Sequence, residues 1–126
     1  MMNRTVETEN APAPIGPYSQ AVWAGNTLYM SGQIAINLES GELVMDSIQS
    51  ETQQVMRNIE AVLNEANLDF TKVIKCSIFL SDMNLFAEVN EIYGSFFSGN
   101  YPARETVEVS KLPKAVNVEI SVIAVR

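Results

Sequence analysis

The C-terminal segment 117–125, Asn-Val-Glu-Ile-Ser-Val-Ile-Ala-Val, constrains the fold more than any other part of the chain. Its alternation puts Val118, Ile120, Val122 and Ala124 on one face of a strand. The opposite face carries Asn117, Glu119, Ser121, Ile123 and Val125, and is itself partly apolar. A second strand, from about Lys72 to Leu80, has the same two-sided character. Its pattern sets Ile74, Cys76, Ile78 and Leu80 on one face, with Val73, Ser77 and Phe79 on the other. Strands apolar on both sides need cover on both sides.

The rest of the chain supplies cover for one side. Arg4 to Glu7 reads as a short edge strand. Three prolines and a glycine in Ala11-Pro12-Ala13-Pro14-Ile15-Gly16-Pro17 then enforce an extended, rigid loop. Strands follow near Gln20–Ala24 and Thr27–Gln33, joined by the two-residue hairpin signal Gly25-Asn26. After a turn at Glu39-Ser40-Gly41-Glu42, a helix is expected from about Ser47 to Ala66, with Asp46 or Ser47 as its N-cap. Its apolar stripe is Ile48, Val55, Met56, Ile59, Val62, Leu63 and Ala66. A second helix, capped by Asp82 or Asn84, shows Leu85, Val89, Ile92, Tyr93 and Phe96 on one face. Strands at about 105–109 and 117–125 close the chain. The reading is a single α+β domain over residues 1–126, a sheet with two helices on one face. The other face, which carries Glu119, is expected to pack against another subunit, because a large exposed apolar patch marks an interface.

Charge and residue types exclude much chemistry. Fifteen acids against eight bases give a net charge of −7 with no basic cluster, which argues against a nucleic-acid groove. There is no histidine, so the usual acid–base side chain at neutral pH is missing. The single cysteine, Cys76, permits no intrachain disulfide and points to an intracellular setting. Zinc, iron–sulfur and haem sites lose their usual ligands. Residues Met1 to Ala13 lack the apolar run of a signal peptide, and no stretch has the length of a membrane span. A soluble, cytoplasmic protein is expected.

The candidate chemistry gathers in the last quarter. In Tyr101-Pro102-Ala103-Arg104-Glu105-Thr106-Val107-Glu108-Val109 a lone arginine follows a proline and opens a strand. Its rigid fork of donors matches a carboxylate and stays charged at any relevant pH. The plainer reading is a surface arginine paired with Glu105 or Glu108. Glu119 is an acid amid an apolar strand; burial would raise its pKa and suit it to handle a proton or a water. It would otherwise form a structural salt bridge to Lys or Arg across the subunit interface. Arg104 and Glu119 are expected on neighbouring strands, a cation and an acid within reach of one small carboxylate. Tyr18 either lines a pocket or packs, and Ser31-Gly32 marks either close approach of the backbone to a ligand or a plain turn.

Three segments together resemble the YjgF/Rid family of enamine/imine deaminases. They are Ile15-Gly16-Pro17-Tyr18-Ser19-Gln20-Ala21, Ser31-Gly32-Gln33-Ile34, and Pro102-Ala103-Arg104 through Leu112-Pro113 to Val118-Glu119-Ile120. The resemblance implies a chorismate-mutase-like fold and a homotrimer with clefts between subunits. It implies hydrolysis of 2-aminoacrylate or 2-aminocrotonate, formed by pyridoxal-phosphate enzymes, to 2-oxo acids and ammonia, with no metal or cofactor. By resemblance Arg104 grips the substrate carboxylate and Glu119 positions the attacking water. Tyr18, Ser31, Gly32 and Asn90 line the cleft, and the Thr106 backbone contacts the imine nitrogen or carbonyl oxygen.

The chain departs from the family pattern at Glu105, where a small residue is common, and at Thr106, where many members have cysteine. Strand alternation turns Glu105 away from Arg104. A non-catalytic relative that binds 2-oxo acids or amino acids in the same cleft is the competing expectation. The family has also carried the name of an RNA-cleaving translation inhibitor, which the acidic charge disfavours.

Overall fold

The computed structural model describes residues 4–126. Six strands form one sheet: β1 (Arg4–Val6), β2 (Ala21–Ala24), β3 (Thr27–Met30), β4 (Val73–Leu80), β5 (Ala103–Glu108) and β6 (Val118–Val125). Their spatial order is β1-β2-β3-β6-β4-β5, and all neighbours are antiparallel except the parallel pair β4–β5. The two long helices are α1 (Ile48–Glu65) and α2 (Phe86–Gly94). Strands β3 and β4 both run antiparallel to β6 and so parallel to each other, and α1 joins them. Strands β4 and β5 are parallel neighbours joined through α2. Parallel strands need a long crossover, and here each crossover is a helix.

Local sequence explains the elements. Gly25 adopts φ +59° in the two-residue turn between Ala24 and Thr27, a conformation that suits glycine. The Ser47 hydroxyl caps α1 by accepting from the Ser50 N–H at 3.0 Å. The stripe Val55, Met56, Ile59, Val62 and Leu63 is fully buried against the sheet. Helix α2 is shorter than its apolar spacing suggested. Asp82 caps a single 3₁₀ turn (Met83–Leu85) before the α-helix begins, and Phe96 lies beyond its end.

The core lies between the two helices and one face of the sheet, formed by Trp23, Leu28, Cys76, Ile78, Leu80, Val118, Ile120, Val122 and Ala124. The opposite face carries Val22, Tyr29, Ser77, Phe79, Val107, Glu119, Ile123 and Val125, half-buried or exposed.

Three readings from the sequence need correction. A register irregularity between Val73 and Lys75 inverts the start of β4, so Val73 is in the core and Ile74 is exposed. Strand β3 ends at Met30; Gln33 rejoins the sheet only as an isolated bridge to Ile120. Strand β5 runs from Ala103 to Glu108 rather than over about 105–109, and Arg104 is its second residue. No described helix is long and apolar enough to cross a membrane.

Candidate active site

Arg104 pairs across β4–β5 with the buried Cys76, so its side chain rises on the helix-bearing face of the sheet. There α2 receives it. The guanidinium Nη1 donates to the Asn90 side-chain oxygen at 2.7 Å, and its carbon stands 5.1 Å from the Tyr93 ring centre and 5.5 Å from that of Phe86. Aromatic rings on this scale attract a cation and restrict its motion. Neither carboxylate of the plainer reading is its partner. Glu105 points to the other face, where it bonds Lys75 at 2.9 Å and the Ser77 hydroxyl. The Glu108 carboxylate instead accepts from the Met83 N–H. Arg104 therefore keeps donors free toward a cleft of about 330 Å3 that it lines with Asn90, Tyr93, Tyr101 and Pro102.

Below the guanidinium, burial raises the Cys76 thiol pKa, so the thiol stays protonated. Burial, with the nearby thiol, also pushes the Tyr93 hydroxyl well above its ordinary range. That hydroxyl has no well-formed hydrogen bond among the described residues, and neither does the Thr106 hydroxyl. Thr106 shares the Arg104 face, two residues further along the edge strand β5.

Glu119 sits elsewhere. It pairs with Phe79 in β6–β4, between the buried Val118 and Ile120, and its side chain stands on the open face. Its carboxylate lies over Gly32, where a methyl group would meet the carboxyl carbon at 2.8 Å. The close approach demanded of Gly32 is to this acid. Backbone bonds exchanged by Gln33 and Ile120, at 2.8 and 3.1 Å, bring the two segments together. Among the described residues nothing donates to the Glu119 carboxylate, and burial raises its pKa.

Tyr18 and Ser31 gather around Glu119, with Ile15 and Pro113, at an open cleft of about 440 Å3. The Tyr18 hydroxyl accepts from the Ile15 N–H at 3.2 Å and keeps its own proton to donate. The Ser31 hydroxyl donates to the Ser19 carbonyl at 2.6 Å and keeps lone pairs to accept.

The sequence-read residues thus fall into two groups. Tyr18, Ser31, Gly32 and Glu119 share one cleft; Asn90 and Arg104 share another, with Thr106 on the same face. The expectation of neighbouring strands is wrong for one chain. Strand β4 lies between β5 and β6, and the two side chains project from opposite faces.

Pattern reading gave no role to Pro113 or Glu51, and none to Tyr93 beyond the core. Lys114 and Ala115, just after Pro113, both hold positive φ (+55° and +56°), uncommon for residues with a Cβ. Nothing in their sequence announces it. Glu51, in the first turns of α1, is fully buried. It accepts from the Asn117 N–H (2.7 Å), the Asn117 side-chain amide (2.9 Å) and the Val118 N–H (3.2 Å), pinning the start of β6 two residues from Glu119.

An acid with no described partner beside a glycine, and a strand arginine held against a helix at an open cleft, fit handling of a small carboxylic acid. The model of the family described as Endoribonuclease L-PSP matches residues 8–126, and the chain belongs to this YjgF/RutC/Rid family. It is 50% identical to a RutC family protein of Pyrococcus horikoshii, over 98% of each chain. It is 42% identical to the human 2-iminobutanoate/2-iminopropanoate deaminase, over all of this chain and 92% of that one. Escherichia coli TdcF, solved with bound serine, superposes with a TM-score of 0.93 at 39% identity, covering 98% of both chains.

Proposed function

We propose that the protein hydrolyses 2-imino acids and their enamine tautomers, such as 2-aminoacrylate and 2-aminocrotonate, to 2-oxo acids and ammonia. This would protect the pyridoxal-phosphate enzymes among which such species arise. The observation that carries this reading is Arg104. Its guanidinium is fixed by Asn90 and two aromatic rings, yet donors remain free for a substrate carboxylate. The activity named for the human relative and the serine bound by TdcF support the same chemistry.

In this reading Arg104 grips the carboxylate and Glu119 takes a proton from the attacking water. Tyr18 donates to the substrate, Ser31 accepts from the imine N–H, Gly32 leaves room for Glu119, Asn90 holds Arg104, and the Thr106 backbone contacts the nitrogen or the new carbonyl oxygen. One positioned carboxylate contributes about 10²- to 10⁴-fold. The placement of Arg104 and Glu119 on opposite faces supports a cleft completed by a second copy, and we propose the homotrimer for it. The half-buried apolar residues around Glu119 would then pack at the subunit contact.

The test generates imine from threonine with a dehydratase in the presence of semicarbazide. The protein should suppress semicarbazone formation, and Arg104→Ala should not. If several imines are trapped equally with and without the protein, the cleft only binds 2-oxo or amino acids.

A further inference from the structure

Helix α1 sets two polar side chains, Glu51 and Asn58, into the same buried stripe as Val55 and Val62; they are 0% and 3% exposed. A polar group in such a place is costly unless it is bonded. Both reach partners outside the helix. Glu51 accepts from the Asn117 and Val118 N–H groups at the start of β6. The Asn58 amide donates to the carbonyls of Ile34 and Ile36, at 3.0 and 3.1 Å. Gln54, one turn earlier, donates to the Asn58 side-chain oxygen at 2.9 Å and so turns its NH2 group toward those carbonyls.

The two gripped segments are the two arms of the contact between Gly32 and Glu119. Asn117 and Val118 lead directly into Glu119, and Ile34 follows Gly32 by two residues. The arm of Glu119 is a regular strand. The arm of Gly32 is not: β3 has ended at Met30, and beyond it Gln33 and Ile36 make only isolated bridges. No continuous ladder fixes Gly32, so side-chain bonds to this segment share that task.

We propose that Asn58 is a positioning residue for hydrolysis, which holds Gly32 against the Glu119 carboxylate through the carbonyls of Ile34 and Ile36. The inference rests on the deaminase reading above, in which Glu119 handles the water. It gives α1, which touches no substrate in that reading, a part in the reaction. Glu51 fixes the strand of the acid; Asn58, about 10 Å further along the helix, fixes the surface on which the acid rests.

Asn58→Ala removes the amide. Gln54→Ala removes only the bond that orients it, and serves should the first variant fold poorly. Val62→Ala, in the same stripe, is the control for lost stability alone. The folded proteins are compared by imine hydrolysis, by 2-oxobutyrate affinity, and by carboxyl-carbon NMR for the titration of Glu119. Tyr18 is the one other titratable side chain lining its cleft. Asn58→Ala should lower kcat about tenfold or more, with KM and 2-oxobutyrate affinity changed less than about twofold. Its Glu119 should titrate closer to the ordinary glutamate range, as water reaches the carboxylate that burial had shielded. Gln54→Ala should shift both in the same direction by less, and Val62→Ala should shift neither. An Asn58→Ala protein that loses stability but keeps its kcat and its Glu119 titration overturns the proposal and leaves the deaminase reading standing. Equal losses of kcat in Asn58→Ala and Val62→Ala overturn it as well. If the unaltered protein hydrolyses no imine, the deaminase reading falls and takes this part in the reaction with it, while the Glu119 titration still decides whether Asn58 holds Gly32 against the acid.

Discussion

The carboxyl carbon of Glu119 lies 2.8 Å from the point where a Cβ on Gly32 would stand, so glycine at position 32 is a condition of the acid's placement. Gly32→Ala must push the Glu119 side chain aside. The colliding group is the far end of a flexible side chain, so the fold should lose only about 1 kcal/mol, at the low end of overpacking costs. Activity should fall much further, about a hundredfold, because an ångström of displacement at a reacting group costs that much. Melting temperature and steady-state imine hydrolysis, measured together, check this. An active Gly32→Ala protein would mean that Glu119 needs no fixed position.

Arg104 is bound by α2 on one side and free on the other. Arg104→Ala should abolish hydrolysis and 2-oxobutyrate binding with the oligomer intact. Arg104→Lys should be nearly as impaired, since an ammonium cannot reproduce the fork. Asn90→Ala removes only the 2.7 Å anchor and should raise KM more than it lowers kcat. Size-exclusion profiles decide the alternative. If Arg104→Ala breaks the assembly, the arginine is structural.

Much of this arrangement was legible in the chain. Alternation in 118–125 and the stripe Val55–Leu63 identify the sheet and its main helix, because burial imposes those periods. The turn at Gly25-Asn26 is legible because few residues tolerate its backbone. Strand order is another matter. Nothing local says that the last strand inserts between β3 and β4, and that insertion separates Arg104 from Glu119. The irregularity at Val73–Lys75 was hidden for a related reason: Ile74 and Val73 are equally apolar, so the sequence cannot say which faces inward. Nothing near Glu51 announces its burial, since its three donors are more than sixty positions away.

Glu51→Ala should therefore be among the most damaging single changes. Two backbone N–H groups and a side-chain amide would lose their acceptor in a buried place. At about 1–3 kcal/mol for each unsatisfied group, a loss of about 3 kcal/mol or more is expected. The midpoint of urea unfolding reports it. A shift worth less than about 1 kcal/mol would show that water replaces the carboxylate there.

Because Arg104 and Glu119 face opposite sides of one sheet, a cleft using both should draw them from two copies. Arg104→Ala and Glu119→Gln are each expected to be inactive. Subunit exchange between them should restore activity, to about a quarter of the sites in a random equal mixture. Native mass spectrometry would verify that exchange occurred. Mixed trimers without activity would mean that the two groups serve no common cleft.

Burial raises the Glu119 pKa in the folded protein above its value in the unfolded chain. The folded state therefore holds the proton more tightly, and stability falls as pH rises from the unfolded value through the folded one. Below that window the acid is neutral in both states and contributes no penalty. Glu119→Gln removes a charge that burial disfavours and should melt higher than the unaltered protein near neutral pH. The difference should shrink as the solution is acidified toward the ordinary glutamate range. Activity runs the other way. A carboxylate that must accept a proton from water works only when ionised, so kcat should decline on acidification with a midpoint above that of an exposed glutamate. Melting curves of both proteins across this pH range, with a kcat profile of the active one, test the two halves independently. A Glu119→Gln protein that melts lower than the unaltered one near neutral pH would mean that the ionised carboxylate has a donor in the assembled protein, and the water would then have to compete for it.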